Sequence, residues 1–171
     1  MSNKSPSAIT PALMAELHRK FVKLDWDGTH GAPHWARVRL NGLELARHTG
    51  ASTKVVELFA FVHDSCRQDE WVDHGHGHRS ALYVEELRAS ATILISNEEA
   101  EMLAIACRDH SDGKTKGDVT IQTCWDADRL DLGRVGIRPD PARMCTAAAR
   151  DSRLIAGAYE RSLPKGGWLT P

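Results

Sequence analysis

The stretch Val55-Val56-Glu57-Leu58-Phe59-Ala60-Phe61-Val62 runs directly into His63 and Asp64. Ser52 or Thr53 supplies an N-cap in front of it, so the stretch reads as an apolar helix that ends around Asp64. An imidazole and a carboxylate at the end of such a helix pay a desolvation cost unless something binds there. Both groups are good ligands for hard or borderline divalent ions.

Around this segment the chain reads as helix after helix. Thr10 and Pro11 cap a first helix, with Leu13, Leu17, Phe21 and Leu24 at helical spacing. Pro33 opens a second helix that runs to about His48 and stops at Gly50. After the connection Asp73-His74-Gly75-His76-Gly77-His78, a fourth runs through Leu82, Val84 and Leu87. Asn97, Glu98 and Glu99 start a fifth, which ends near His110. Gly113 and Gly117 bound a polar loop. Val119 to Leu132 and Pro141 to Tyr159 read as the last two helices, followed by a short tail. Alternating strand patterns are absent. The expected fold is therefore all-α, one domain over residues 1–171.

Charge narrows the partners. With 22 basic and 23 acidic residues intermixed, the net charge is -1, which offers no polyanion-binding face for duplex DNA or a membrane surface. A small phosphate compound needs only a few arginines and stays open. No apolar run approaches the ~18 residues of a membrane span. The start Met-Ser-Asn-Lys-Ser-Pro-Ser is not a signal peptide. A cytoplasmic protein is expected. Cys66, Cys107, Cys124 and Cys145 are far apart, without the ligand pairs two to four residues apart that structural zinc wants, and read as reduced thiols.

Three further segments carry chemistry: His34 within His-Gly-Ala-Pro-His-Trp-Ala-Arg-Val, His76 within His-Gly-His-Arg-Ser-Ala, and Asp128 within Trp-Asp-Ala-Asp-Arg-Leu-Asp. Taken singly each has a plain reading. A helix-end histidine is commonly a satisfied core or surface group. Asp128 could pair with Arg129 or Arg134, and the His-Gly tract around His74 and His78 could be an exposed stretch that picks up metal adventitiously. Their order changes the weighing. His34, then His63-Asp64, then Asp128 resembles the HD-domain superfamily of metal-dependent phosphohydrolases, over roughly residues 30 to 132.

The resemblance implies a bundle of about six to seven helices and one divalent ion held by His34, His63, Asp64 and Asp128. The ion could be Mn, Mg, Co, Ni, Zn or Fe. It would bring the pKa of a bound water from 15.7 towards about 7, so that no nucleophilic side chain is needed. His76 and His110 stand where two-metal members carry extra histidines, with Asp64 able to bridge; the alternative is that His110 merely ends its helix. Ser80 replaces the glycine usual in the His76 motif. His30 resembles a histidine that often precedes the first ligand and could orient a phosphate or act as general acid, with a capping role as the alternative. Arg67, three residues after Asp64, stands where phosphodiesterase branches carry a cation, and a guanidinium there could fork onto phosphate oxygens. Arg67-Gln68 is unlike the acidic pair of guanosine tetraphosphate hydrolases, and Ser-Asp-Gly after His110 is unlike the signature of cyclic-dinucleotide phosphodiesterases. Arg37 and Arg129 are expected to brace the Asp128 segment. The implied catalytic set is Asp64, Arg67 and His30, acting on a small, nucleotide-like phosphate ester. A non-catalytic metal or nucleotide sensor and a di-iron oxygenase are the competing readings.

Overall fold

Thr10 Oγ1 accepts from the Leu13 N–H and Pro11 fills the first turn, which starts α1 (Pro11–Lys20). This helix is shorter than the periodicity to Leu24 suggests. Phe21 leaves helical geometry at ψ 60° while its N–H still bonds Leu17, so its ring drops into the core against Trp26 and Trp35. The computed structural model describes residues 7–164; the remainder of the polar start and of the tail lie outside the described residues.

The order continues with α2 (Ala32–Thr49), α3 (Thr53–Val62), α4 (His76–Ala89), α5 (Asn97–Asp109), α6 (Val119–Arg129) and α7 (Ser152–Ser162). Short 3-10 turns at Leu132–Val135, Pro141–Arg143 and Ala148–Arg150 separate α6 from α7. Among the described residues there are seven α-helices and no strands, as the sequence pattern implies.

The central element is α3, every residue of which from Val55 to Val62 is buried. Fully burying a Val, Leu or Phe side chain is worth about 1.5–3 kcal/mol, so this helix anchors the domain. Glu57 is buried too, and accepts from Arg39, Ser7 and the Ala8 N–H. Packed around α3 are α2, α5 and α6, and α4 lies along α5. The close approach of α2 needs Gly42: a Cβ there would stand 2.4 Å from Val56 and 3.3 Å from Ala127.

One expected helix is absent as such. Pro141 to Tyr159 is two 3-10 turns followed by α7. The buried Asp126 carboxylate accepts from the N–H groups of Cys145 and Thr146 and from the Thr146 hydroxyl, which holds Met144 extended at ψ 144°. Asp151, also extended, then caps α7 through the Arg153 N–H. Likewise α6 stops at Arg129, and Leu132 belongs to a 3-10 turn. All four cysteines are free, three buried and Cys145 half-buried. No helix among the described residues is long and apolar enough to cross a membrane.

Candidate metal centre

Five helices converge at one point. His34 comes from the first turn of α2, His63 and Asp64 from the end of α3, His76 from the first turn of α4, His110 from the C-cap of α5 and Asp128 from the last turn of α6. Gly77 permits the approach of α4 to the end of α5, since a Cβ there would lie 2.7 Å from the Arg108 carbonyl oxygen.

Each of the four histidines spends its Nδ1 on an acceptor. His34 donates to Asp131 at 2.7 Å, His63 to the Phe59 carbonyl at 3.0 Å, His110 to the Cys107 carbonyl at 2.7 Å, and His76 to the Asp73 carbonyl. Each acceptor fixes the proton on Nδ1 and leaves the Nε2 lone pair facing the centre. The lone pairs face one another closely: His34 and His63 Nε2 are 3.1 Å apart, and His76 and His110 Nε2 are 2.9 Å apart. Neutral imidazoles in this tautomer have no hydrogen to share across the His34–His63 gap, while a protonated His110, favoured by Asp64, can donate across the other. A cation resolves the repulsion, and an octahedral site with bonds of about 2.1 Å has edges of about 3.0 Å.

Asp64 lies between the two histidine pairs. Its Oδ2 is 3.7 Å from His34 Nε2 and 3.6 Å from His63 Nε2, while its Oδ1 is 3.3 Å from His76 Nε2 and 3.6 Å from His110 Nε2. Asp128 Oδ1 stands 3.5 Å from His34 and 3.9 Å from His63. Asp64 Oδ1 and Asp128 Oδ1 are buried without a hydrogen-bond partner, a costly condition that a bound ion would relieve. The donor atoms lie close enough to hold an ion in three overlapping groups: His34, His63 and Asp64; Asp64, His76 and His110; and His63, His110 and Asp128. With Asp128 Oδ1 also 3.5 Å from His34, they fit one divalent ion among His34, His63, Asp64 and Asp128 and a second at Asp64, His76 and His110.

Electrostatics prepare the ligands. Burial pushes the pKa of His34 well below the imidazole range, takes His63 down to about 4 and lowers His76, so these rings are neutral near pH 7. Burial works against the carboxylates, but His63 and the other rings hold Asp64 well below its usual range, and Arg134 lowers Asp128. His110 differs. Burial disfavours its cation, yet the Asp64 carboxylate outweighs that and raises its pKa.

The structure places the other sequence candidates less uniformly. Arg67 is mostly buried beside the second ligand group, its Nη1 donating to His76 Nε2 at 3.3 Å and standing 3.7 Å from Asp64. It thus bears on the ligands as well as on the cavity. His30 bonds Glu70 at 2.5 Å, stands behind His34 and is not among the residues lining the cavity. His74 and His78 are exposed. Arg37 braces Asp131 rather than Asp128, through paired bonds of 2.7 and 3.1 Å. Arg129 turns away from the centre to the Arg143 carbonyl and Cys145 Sγ.

Two neighbours complete the centre: Asp131, for which the sequence suggested no role, and Arg134, one of the two partners expected for Asp128. Asp131, fully buried, holds His34 and Arg37 together. Arg134 lies 3.7 Å from Asp128 and donates to the Asp131 carbonyl at 3.2 Å. Their spacing after Asp128, by three and by six, was the available signal. The centre opens into a cavity of about 1140 Å³ whose wall includes Arg67, Arg134, Arg138 and Arg143, with Trp71, Val72 and Ile137 also lining it.

No protein-family model matches the sequence, and no curated protein matches it. Among solved structures, the chain resembles a predicted HD superfamily hydrolase from an uncultured Thermotogales bacterium, at TM-score 0.64 and 23% identity, over 86% of this chain and 83% of that one. The chain therefore has the HD-type all-α fold.

Proposed function

We propose that this protein is an HD-superfamily, metal-dependent phosphohydrolase that cuts a phosphate ester of a nucleotide or related small molecule. The observation that carries this reading is the set of four histidine Nε2 atoms, each with its Nδ1 already bonded, turned onto the orphaned oxygens of Asp64 and Asp128. Cysteine ligands are absent from this set. Nitrogen and carboxylate donors suit borderline and hard divalent ions.

His34, His63, Asp64 and Asp128 would hold one ion, and His76 and His110 would share Asp64 with a second. Such ions supply an acidified water near neutral pH and charge to offset the phosphate. The surrounding charges favour an anion once metal is present. Asp64, Asp128 and Asp131 are matched by Arg37, Arg67 and Arg134, so any divalent ion leaves the site positive. Arg67 reaches phosphate oxygens from the His76 side and Arg134 from the Asp128 side. In the net reaction the oxygen of water bonds to phosphorus, the ester P–O bond breaks, and the departing oxygen carries off a proton from the water. His30, tied to Glu70 behind His34, supports the packing of that ring and is not assigned the proton donor role.

The two ligand groups together would also suit a pair of iron ions that activate dioxygen. Arginines on the cavity wall favour phosphate over that alternative. The deciding experiment is a phosphate-release screen over nucleotides, cyclic nucleotides and sugar phosphates with Mn²⁺, Co²⁺, Ni²⁺ and Mg²⁺ separately. Release with at least one ion is expected. Bound metal without release from any ester would favour the sensing module, and oxygen consumption with Fe²⁺ would favour the oxygenase.

A further inference from the structure

The metal-ligand cluster occupies only the inner end of the cavity. Small-molecule pockets usually enclose about 300–1,000 Å³, so a space of about 1140 Å³ accommodates far more than one phosphoryl group. The wall continuing outward from Asp128 is formed by the turn Leu132–Val135, the strand-like link after it and the turn Pro141–Arg143. Three arginines of this wall line the cavity in succession: Arg134, Arg138 and Arg143.

Arg134 is about nine-tenths buried; its Nη1 donates to the Asp131 carbonyl at 3.2 Å, and its Nε has no hydrogen-bond partner. The donors of the outer two are unspent among the described residues. Arg138 is exposed and rests over the Tyr159 ring at 5.2 Å, which positions it without using its N–H groups. Neither Arg138 nor Arg143 pairs with a carboxylate among the described residues. The acidic side chains of the same cavity are otherwise engaged. Asp73 pairs with Arg79, Asp112 lies 3.6 Å from Lys114, and Asp140 caps the turn at Ala142.

We infer that Arg138 and Arg143, continuing outward from Arg134, form a second anion subsite, so that the substrate carries at least two phosphoryl groups, one at the metal ligands and the next along this wall. The inference rests on the phosphohydrolase reading and narrows it. A guanidinium forks onto two phosphate oxygens at once, and successive guanidinia fit successive phosphoryl groups better than any uncharged moiety. The exposed Trp71 and Ile137 at the same cavity leave the far end open to an apolar or aromatic group.

The test compares a nucleoside monophosphate with the corresponding diphosphate, at one fixed free concentration of the ion that supports turnover. Wild-type protein should favour the diphosphate in kcat/KM by about tenfold or more, the effect of one charge-assisted contact. The exposed-site double variant Arg138→Ala/Arg143→Ala should bring that ratio to about one, and Arg138→Glu/Arg143→Glu should invert it. If the monophosphate is hydrolysed but wild type shows no preference, or the variants keep it, the subsite is wrong while the phosphohydrolase reading stands. If neither compound is turned over, that reading falls, and equilibrium dialysis of the same pair tests the subsite alone. Equal affinity of wild type for both would then overturn it.

Discussion

Asp131 Oδ2 lies 2.7 Å from His34 Nδ1, and both side chains are wholly buried. The carboxylate is shared with Arg37, whose guanidinium opposes the burial that raises its pKa. It therefore orients the ring whose Nε2 faces Asp64 and Asp128, and it makes that nitrogen a better donor to a cation.

Removing this orientation should weaken metal binding without touching a ligand. Asp131→Asn is expected to lower affinity for the first ion about 10- to 100-fold. A metal titration on folded protein checks this. Unaltered affinity would reduce Asp131 to a packing role.

Arg67 lines the cavity and touches His76, so on the proposed function it would bear on both phosphate and ligand group. Arg67→Ala should lose about 10- to 150-fold in kcat/KM, corresponding to about 1.5–3 kcal/mol for a charge-assisted contact. The ion at His34, His63 and Asp128 should be retained, because Arg67 contacts only the His76 side. Elemental analysis alongside the kinetics separates the two effects, and full activity in the variant would return Arg67 to a structural role.

Acid should empty the two ligand groups in sequence. His110 has a raised pKa, so protons compete for the second group first, near and above the reference value of about 6.5. His34 and His63 stay neutral to lower pH, His63 to about 4, and hold their ion longer. Dialysis at stepped pH should show two release steps; one joint step would contradict the separation. The metal-free protein has its own dependence. His63 has a depressed folded pKa, so the unfolded chain binds more protons between about 6.5 and about 4. That contribution to stability is complete above about 6.5 and falls away as the pH drops towards about 4. Thermal melts of metal-free protein across this window measure it.

Gly77→Ala tests the helix contact beneath the second group. A methyl 2.7 Å from the Arg108 carbonyl must push α4 from α5. Overpacking of this kind costs about 1–3 kcal/mol. The shift should also part His76 from His110, lowering the metal stoichiometry from two ions to one. A variant with unchanged melting temperature and stoichiometry would show that the two helices yield freely there.

Local rules made much of this legible. Thr10 and Ser52 cap the helices they appear to cap, and each ligand residue has a recognisable neighbourhood at a helix end. Arg134 was legible as a partner of Asp128, but Asp131 was not legible as part of the centre, because what it does depends on His34, 97 positions away in sequence. The segment after Pro141 departs from the expected helix for a related reason. Its alanines and arginines favour a helix, but the Asp126 carboxylate captures the N–H groups of Cys145 and Thr146 from another element. Arg67 was seen, but its 3.3 Å contact with His76 is a product of how α4 folds back.

The convergence of five helix ends has a mechanical consequence. An ion held by His34, His63 and Asp128 is a cross-link between α2, α3 and α6, and one at His76 and His110 ties α4 to α5. Like a disulfide, each such tie restricts the open chain more than the folded one, and ligand binding adds its own free energy to folding. Chelation should therefore loosen the bundle as well as silence its chemistry, and a metal-starved cell would hold this protein in a form more exposed to proteases.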